Sequence, residues 1–251
     1  MSEMEKKIKL VFGELKEWVN REKIVSQPEL LCKIKSALKK HFSKDELEEF
    51  AKERGEPTAF FMKAVTGPVP LSIHAPHLSE RGVYRGETFY FSHTVDRERV
   101  DFEKLLEKLR TFRLERSIQI VQEVLEKAGY LVMRENETLK AIKNQREMTI
   151  VFFKSVEDAH REVDDRIDEF KGKILVVPTG SRLEPFYEFY RRKANKILES
   201  NIAVWVAQVE EGTVSPFIGV FPGEKDKEVM EQFGKPRLAA MISSLWKTDG
   251  E

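Results

Sequence analysis

The chain has 251 residues, of which 43 are Lys or Arg and 43 are Asp or Glu, so its formal net charge is zero. This balance excludes a globally basic nucleic-acid coat and an acidic disordered tail, and the one cysteine excludes a disulfide framework or a cysteine-based zinc cluster. Asn and Gln together number only 11 while Lys and Glu are abundant, a composition typical of thermophilic proteins.

Helical patterns occupy the beginning of the chain. Apolar residues at spacings of three and four predict a first helix over residues 4–19. Two Ser-x-x-Glu capping boxes, Ser26 with Glu29 and Ser43 with Glu46, begin a second and a third helix.

The helical period disappears between residues 58 and 93. Runs of β-branched or aromatic residues, separated by Gly and Pro, predict short strands there at residues 58–65, 69–73 and 87–93. A long helix follows at residues 102–128, and Gly129 is a natural glycine for its C-terminal end. We place a domain boundary at the beginning of this helix, which gives an α+β domain over residues 1–102 and a second domain over residues 103–251.

The second domain has an α/β pattern, in which apolar runs of strand length alternate with helices. Its helices are predicted to begin at the capping residues Ser155 and Ser181, and two short helices near residues 229 and 238 end the chain. The predicted strands are residues 130–134, 138–143, 148–153, 173–177, 202–209 and 214–220.

This order of a helix, a strand, a two-stranded hairpin, a helix, a strand, a helix and a strand resembles the restriction-endonuclease-like fold of the PD-(D/E)XK family. The segment ERSIQIVQEVLEKAGYLVMRE, residues 115–135, looks particularly like the opening helix and first strand of archaeal Holliday-junction resolvases. The resemblance implies an α/β domain with a mixed central sheet. In outline, the two-domain plan is also similar to archaeal proteins that bind the TATA-binding protein.

The resemblance also implies a set of catalytic positions. The family needs an Asp near the start of the second strand and Glu-x-Lys on the third, because the two carboxylates hold a divalent metal that activates water. Here the third strand ends in Phe152, Phe153 and Lys154, so the lysine matches but Phe152 stands in place of the glutamate. The aspartate position falls near Leu139 or Lys140, and neither side chain ligates a metal. We therefore predict a domain without nuclease activity and without a cofactor.

An active nuclease is the alternative, if the strand register differs from the predicted one. The carboxylates that would then form a Mg²⁺ site with Lys154 are Glu135, Glu137 and Glu147. Each lies at a strand end or in a turn, where a solvated glutamate is the ordinary expectation.

Two helices carry cations that are candidates for binding a nucleic acid or a protein partner. In the second helix, Lys33, Lys35, Lys39 and Lys40 precede an acidic helix, which suits intramolecular pairing or a protein partner better than DNA. Near the predicted helix at residues 183–199, cations alternate with tyrosines, which suits phosphates and bases as well as ordinary packing. The candidates there are Arg182, Tyr187, Arg191, Arg192, Lys193 and Lys196.

No metal site is predicted, because His74, His77 and His93 have no acidic or cysteine ligand at a supporting spacing. No apolar run approaches the ~20 residues of a membrane span, and MSEMEKKIK lacks the apolar core of a signal peptide. We predict a cytoplasmic, non-catalytic protein that binds a protein or a nucleic acid of transcription or DNA processing, as a monomer or a homodimer and without membrane contact.

Overall fold

The computed structural model describes residues 2–67, 76–78, 80–219, 227–235 and 238. The predicted strand at residues 69–73, His74, Val220 and all but the first residue of the predicted helix at 238–246 lie outside the described residues. The chain divides into two compact units, Met1–Leu109 and Arg110–Glu251. The division falls inside the long helix Phe102–Lys127, at whose first turn the sequence pattern placed the domain boundary.

The first unit combines helices with a small antiparallel sheet in the strand order β1-β3-β2. Both predicted capping boxes are confirmed: the hydroxyls of Ser26 and Ser43 accept the amides of Glu29 and Glu46, whose carboxylates accept the serine amides. The elements are α1 (Glu3–Glu22), β1 (Ile24–Ser26), α2 (Gln27–His41), α3 (Lys44–Arg54), α4 (Pro57–Thr66), β2 (Glu80–Tyr84) and β3 (Glu87–Phe91).

The predicted strand at residues 58–65 is wrong, because this segment forms α4. Pro57 occupies the first turn, where its missing N–H costs nothing, and the Glu56 carboxylate accepts the amides of Thr58 and Ala59. Phe61 then faces the core at helical spacing, and its ring stacks on Phe50 with the centroids 6.1 Å apart. The aromatic core therefore outweighs the β-propensity of the segment.

The second unit is a mixed α/β domain built on one six-stranded sheet, as predicted at this level of detail. The strands lie in the order β4-β5-β6-β7-β8-β9; β6, β7 and β8 are parallel, and β5 and β9 run antiparallel to their neighbours. The elements are α5 (Phe102–Lys127), β4 (Leu131–Glu135), β5 (Thr138–Lys143), β6 (Arg146–Phe152), α6 (Val156–Asp165), β7 (Ile174–Pro178), α7 (Glu184–Glu199), β8 (Ala203–Gln208), β9 (Thr213–Ile218) and α8 (Lys227–Glu231).

Helices cover both faces of this sheet. The apolar face of α5 packs on one side with Val176, and α6 and α7 pack on the other side with Leu175 and Val177. Successive side chains of a strand point to opposite faces, so a strand covered on both faces is apolar throughout. This explains the continuous apolar run of β7, in which every residue is buried.

The predicted capping box at Ser181 is wrong. The N-cap of α7 is Leu183, which has no side-chain cap, and Pro185 lies in the first turn of the helix. A helix capped by Ser181 would need the amide of residue 185 for its first intrahelical hydrogen bond, and proline has no N–H to donate. The helix therefore begins at Glu184, one residue after the predicted start at residue 183.

No helix within the described parts of the chain combines the length and the apolar character needed to cross a membrane.

Candidate functional site

The positions that the nuclease resemblance assigns to metal ligands lie on β5 and β6. Leu139 pairs with Ile150 across these strands, and Phe152 is the last residue of β6. Leu139 is fully buried and Phe152 is 2% exposed, and both side chains belong to the apolar cluster beneath α5. Lys140 points to the opposite face, where its ammonium group lies 3.0 Å from the Glu135 carboxylate. Two core side chains and an ion-paired lysine thus occupy these positions.

The three carboxylates of the alternative site are not brought together. Glu135 and Glu137 lie at the β4–β5 turn, and the carbonyl of Glu137 accepts the amide of Phe152 at 3.0 Å. Glu147 lies near the other end of β6, which at ~3.3 Å per residue is roughly 16 Å from Phe152. Among the residues that the structure describes, no three His, Cys, Asp or Glu side chains are grouped to hold a metal ion.

The cations of α2 converge on one carboxylate of α1. The Glu14 oxygens lie 2.6 Å from Lys33 Nζ, 3.1 Å from Lys40 Nζ and 3.2 Å from His41 Nε2. The hydrogen bond from Lys33 is the main cause that lowers the pKa of Glu14 from 4.5 to about 2. Lys39 is exposed and Lys35 is half-buried. Lys33 and Lys40 are therefore held by their own unit.

Lys33 and Lys40 of this basic helix pair with a carboxylate of α1. The α3 carboxylate Glu46 instead lies 2.6 Å from Lys7 of α1. Sequence alone indicated intramolecular pairing, but the partner helix depends on how three helices pack together.

Glu14→Gln is expected to remove a pH-dependent part of the stability. The folded pKa of Glu14 lies below its ordinary value, so its ion pairs stabilise the fold above pH 4.5, and this contribution is lost as the pH falls towards about 2. We expect Glu14→Gln to lower the free energy of unfolding at neutral pH by about 1–2 kcal/mol. This is less than the full pKa shift implies, because solvent screens a partly exposed cluster. Urea unfolding at a series of pH values measures it. Glu17→Gln, an exposed change on the same helix, should keep the wild-type slope of unfolding free energy against pH. An unchanged slope in Glu14→Gln contradicts the prediction.

The cations of α7 are also mostly paired within their unit. Glu188 lies 3.1 Å from Arg191 and 2.9 Å from Arg192. The buried Lys193 forms an ion pair with Asp164 of α6, and Lys196 lies 3.8 Å from the same carboxylate. Tyr187 packs partly buried against the core beneath α7. Lys193 and Lys196 therefore link α7 to α6, whereas Arg191 and Arg192 pair within α7. Arg182 is exposed and precedes the helix.

A cleft of about 850 Å³ lies between α6 and α7. Arg182 lines it together with His160, whose pKa is lowered by burial and then by the Lys193 charge. Both helices begin after the carboxyl ends of parallel strands, an edge where α/β folds commonly bind ligands. Sequence reasoning did not identify His160, although it lies one helical turn before Asp164 on the same face of α6.

Comparison with known proteins adds a family but no activity. Residues 107–235 match the family described as "Domain of unknown function (DUF6834), C-terminal domain". The search of curated proteins found no match. The matched segment covers just over half of the chain and includes the whole sheet of the second unit. The chain belongs to the DUF6834 family.

Proposed function

We propose that this protein is a non-catalytic binding protein of transcription or DNA processing in the cytoplasm, built on a nuclease-like fold without the metal carboxylates. The observation that carries the proposal is the burial of Leu139 and Phe152 in the core beneath α5. A metal site needs oxygen ligands that can reach solvent and substrate. Two apolar side chains at these positions supply neither.

The arrangement of the second unit supports the nuclease-like part of the proposal. The sheet begins with the meander β4-β5-β6 after α5, and α6 and α7 then lead into the parallel strands β7 and β8. This is the order of elements on which the resemblance rests. Lys154, which matches the lysine of the nuclease family, lies two residues after the end of β6.

The charges favour a protein as the partner. Binding to DNA or RNA draws its affinity from cations that neutralise phosphates and release counterions. Lys33, Lys40 and Lys193 already contact carboxylates of their own units, so phosphate binding would have to break these pairs. Alternating acidic and basic surfaces suit a partner protein of complementary charge.

The nuclease question is tested with the full chain on duplex, single-stranded and branched DNA in Mg²⁺ or Mn²⁺. We expect no cleavage above the buffer level, with no difference between wild type and Lys154→Ala. Lys171→Ala is the matched control, because Lys171 is exposed and pairs with the nearby Asp168. Cleavage that persists in Lys171→Ala and disappears in Lys154→Ala contradicts the proposal.

The same preparation tests the class of partner by fluorescence anisotropy with labelled DNA and RNA over a salt series. We expect only the weak affinity of non-specific binding, ~10⁻⁴–10⁻⁶ M at physiological salt. Tighter binding that falls steeply with salt, and that weakens in Arg182→Ala or Lys39→Ala, would identify a nucleic acid as the partner.

A metal-dependent nuclease is the second candidate, and one contact favours it. The hydrogen bond between the Glu137 carbonyl and the Phe152 amide places a glutamate beside the end of β6 that leads to Lys154. In that case Mg²⁺ is the cofactor, and Glu137→Gln abolishes cleavage together with Lys154→Ala.

A further inference from the structure

The strand β4 presents apolar side chains at the edge of the sheet. It is the outermost strand on its side of the six-stranded sheet that the structure describes. Leu131 is 66% exposed and Met133 is 43% exposed, and both lie on the face opposite α5. Ile142 pairs with Leu131 on the neighbouring strand and is only half-buried. Together Leu131, Met133 and Ile142 form an apolar strip. None of these side chains belongs to the core of the first unit or to the cores on the two faces of the second unit's sheet.

The edge of β4 lacks the usual protection against pairing. Edge strands are commonly blocked by proline, by a bulge or by charges that stand in front of the edge. The other outermost strand, β9, contains Pro216, whereas β4 contains no proline. The charges of β4 are paired within their own unit: Arg134 donates two hydrogen bonds of 2.7 and 2.8 Å to Glu115 of α5, and Glu135 pairs with Lys140 of β5. In the part of the chain that the structure describes, no strand pairs with the outer edge of β4.

We propose that β4 pairs antiparallel with β4 of a second copy of this chain, which joins two six-stranded sheets across a two-fold axis. A strand's apolar pattern sets its register. With Val132 at the axis, Leu131 of each copy lies opposite Met133 of the other, and Ile142 extends each apolar pair along the sheet. A two-fold interface of this kind uses the same surface on both copies, and this strip needs no other partner.

The charges at the two ends of β4 favour an antiparallel second copy. The exposed Lys127 precedes the strand and the exposed Glu137 follows it. Antiparallel pairing brings Lys127 of one copy to the same end as Glu137 of the other, whereas parallel pairing would bring like charges together. The chain's net charge of zero gives two copies no overall repulsion.

The expected dimer is weak. A five-residue strand with a short apolar strip buries less than the roughly 800 Å² per partner of standard interfaces. We therefore expect dissociation in the micromolar range, and a monomer–dimer equilibrium that depends on concentration.

Sedimentation velocity of the full chain over about a hundredfold range of concentration tests the proposal. The wild type is expected to shift from monomer to dimer, and Leu131→Glu and Met133→Lys are expected to raise the dissociation constant by about tenfold or more. Both side chains are exposed, so circular dichroism should show unchanged folding. Leu198→Glu is the matched control, because Leu198 is 54% exposed on α7 of the same unit, and this variant keeps the wild-type equilibrium.

A charge exchange tests the antiparallel direction. Lys127→Glu and Glu137→Lys should each weaken the dimer, and the double variant should restore it, because opposite charges then meet again at both ends. A wild type that stays monomeric at every concentration overturns the proposal. A wild-type dimer that persists in both Leu131→Glu and Met133→Lys also overturns it. A double charge variant whose dimer is weaker than that of either single variant overturns the antiparallel pairing.

Discussion

Replacement of Phe152 by alanine is expected to lower the free energy of unfolding of the second unit by about 3–5 kcal/mol. The ring is 2% exposed and packs in the cluster between α5 and the sheet. Its strand, β6, is hydrogen-bonded to β5 on one side and to β7 on the other, so the surroundings cannot collapse into the space. The truncation therefore loses both the buried apolar surface and the contacts of the cavity lining.

Urea unfolding followed by circular dichroism measures this loss. Leu198→Ala serves as the control, since an exposed substitution usually changes stability by no more than about 0.5 kcal/mol. Phe152→Glu introduces the carboxylate that the nuclease family has at this position. It should destabilise the second unit at least as strongly as Phe152→Ala, because it buries a charge that has no partner in the cluster. A cost below about 1 kcal/mol for Phe152→Ala would mean that the side chain is not in the core, and the observation behind the proposed function would fall.

Phe50→Ala is expected to cost the first unit a similar amount, about 3–5 kcal/mol. Phe50 is fully buried, and its ring meets Phe42, Phe60 and Phe61 with centroids 6.0, 5.3 and 6.1 Å away. Aromatic pairs of this geometry contribute about 0.5–1.5 kcal/mol beyond their buried area. The loss of unfolding free energy should therefore fall in the upper part of the range of about 3–5 kcal/mol.

Thermal and urea unfolding measure the effect, with Leu10→Ala as the control because Leu10 is an exposed apolar residue of α1. Comparing Phe50→Ala with Phe152→Ala also shows whether the units, which share the continuous helix α5, unfold in one transition or two. A small effect of Phe50→Ala would contradict the aromatic core that makes residues 57–66 a helix.

The chain's neutrality is the sum of many local pairs. In the first unit, Lys33, Lys40 and His41 contact Glu14, and in the second, Lys193 and Lys196 share Asp164. The candidate basic surfaces are therefore less available to phosphates than their sequence suggests. This reduced availability of cations is the reason for proposing a protein as the partner.

Several features of this protein follow from its sequence by itself, because they depend on neighbouring residues. The capping boxes at Ser26 and Ser43 satisfy amides within three residues, and the strand β5 is predicted at its observed bounds. The alternation of buried apolar runs with amphipathic helices predicts a mixed α/β second unit. That Phe152 and Leu139 stand at positions of metal carboxylates is instead what the resemblance to the nuclease family implies.

Only the tertiary structure decided which distant residues meet. Residues 58–65 have the composition of a strand, and the contact with Phe50 makes them part of a helix. Glu14 is an ordinary helix glutamate until α2 packs beside it, and the exposure of Leu131 and Met133 depends on β4 being outermost. Such contacts join residues far apart in the chain, and their free energies depend on burial and distance, which local sequence patterns do not contain.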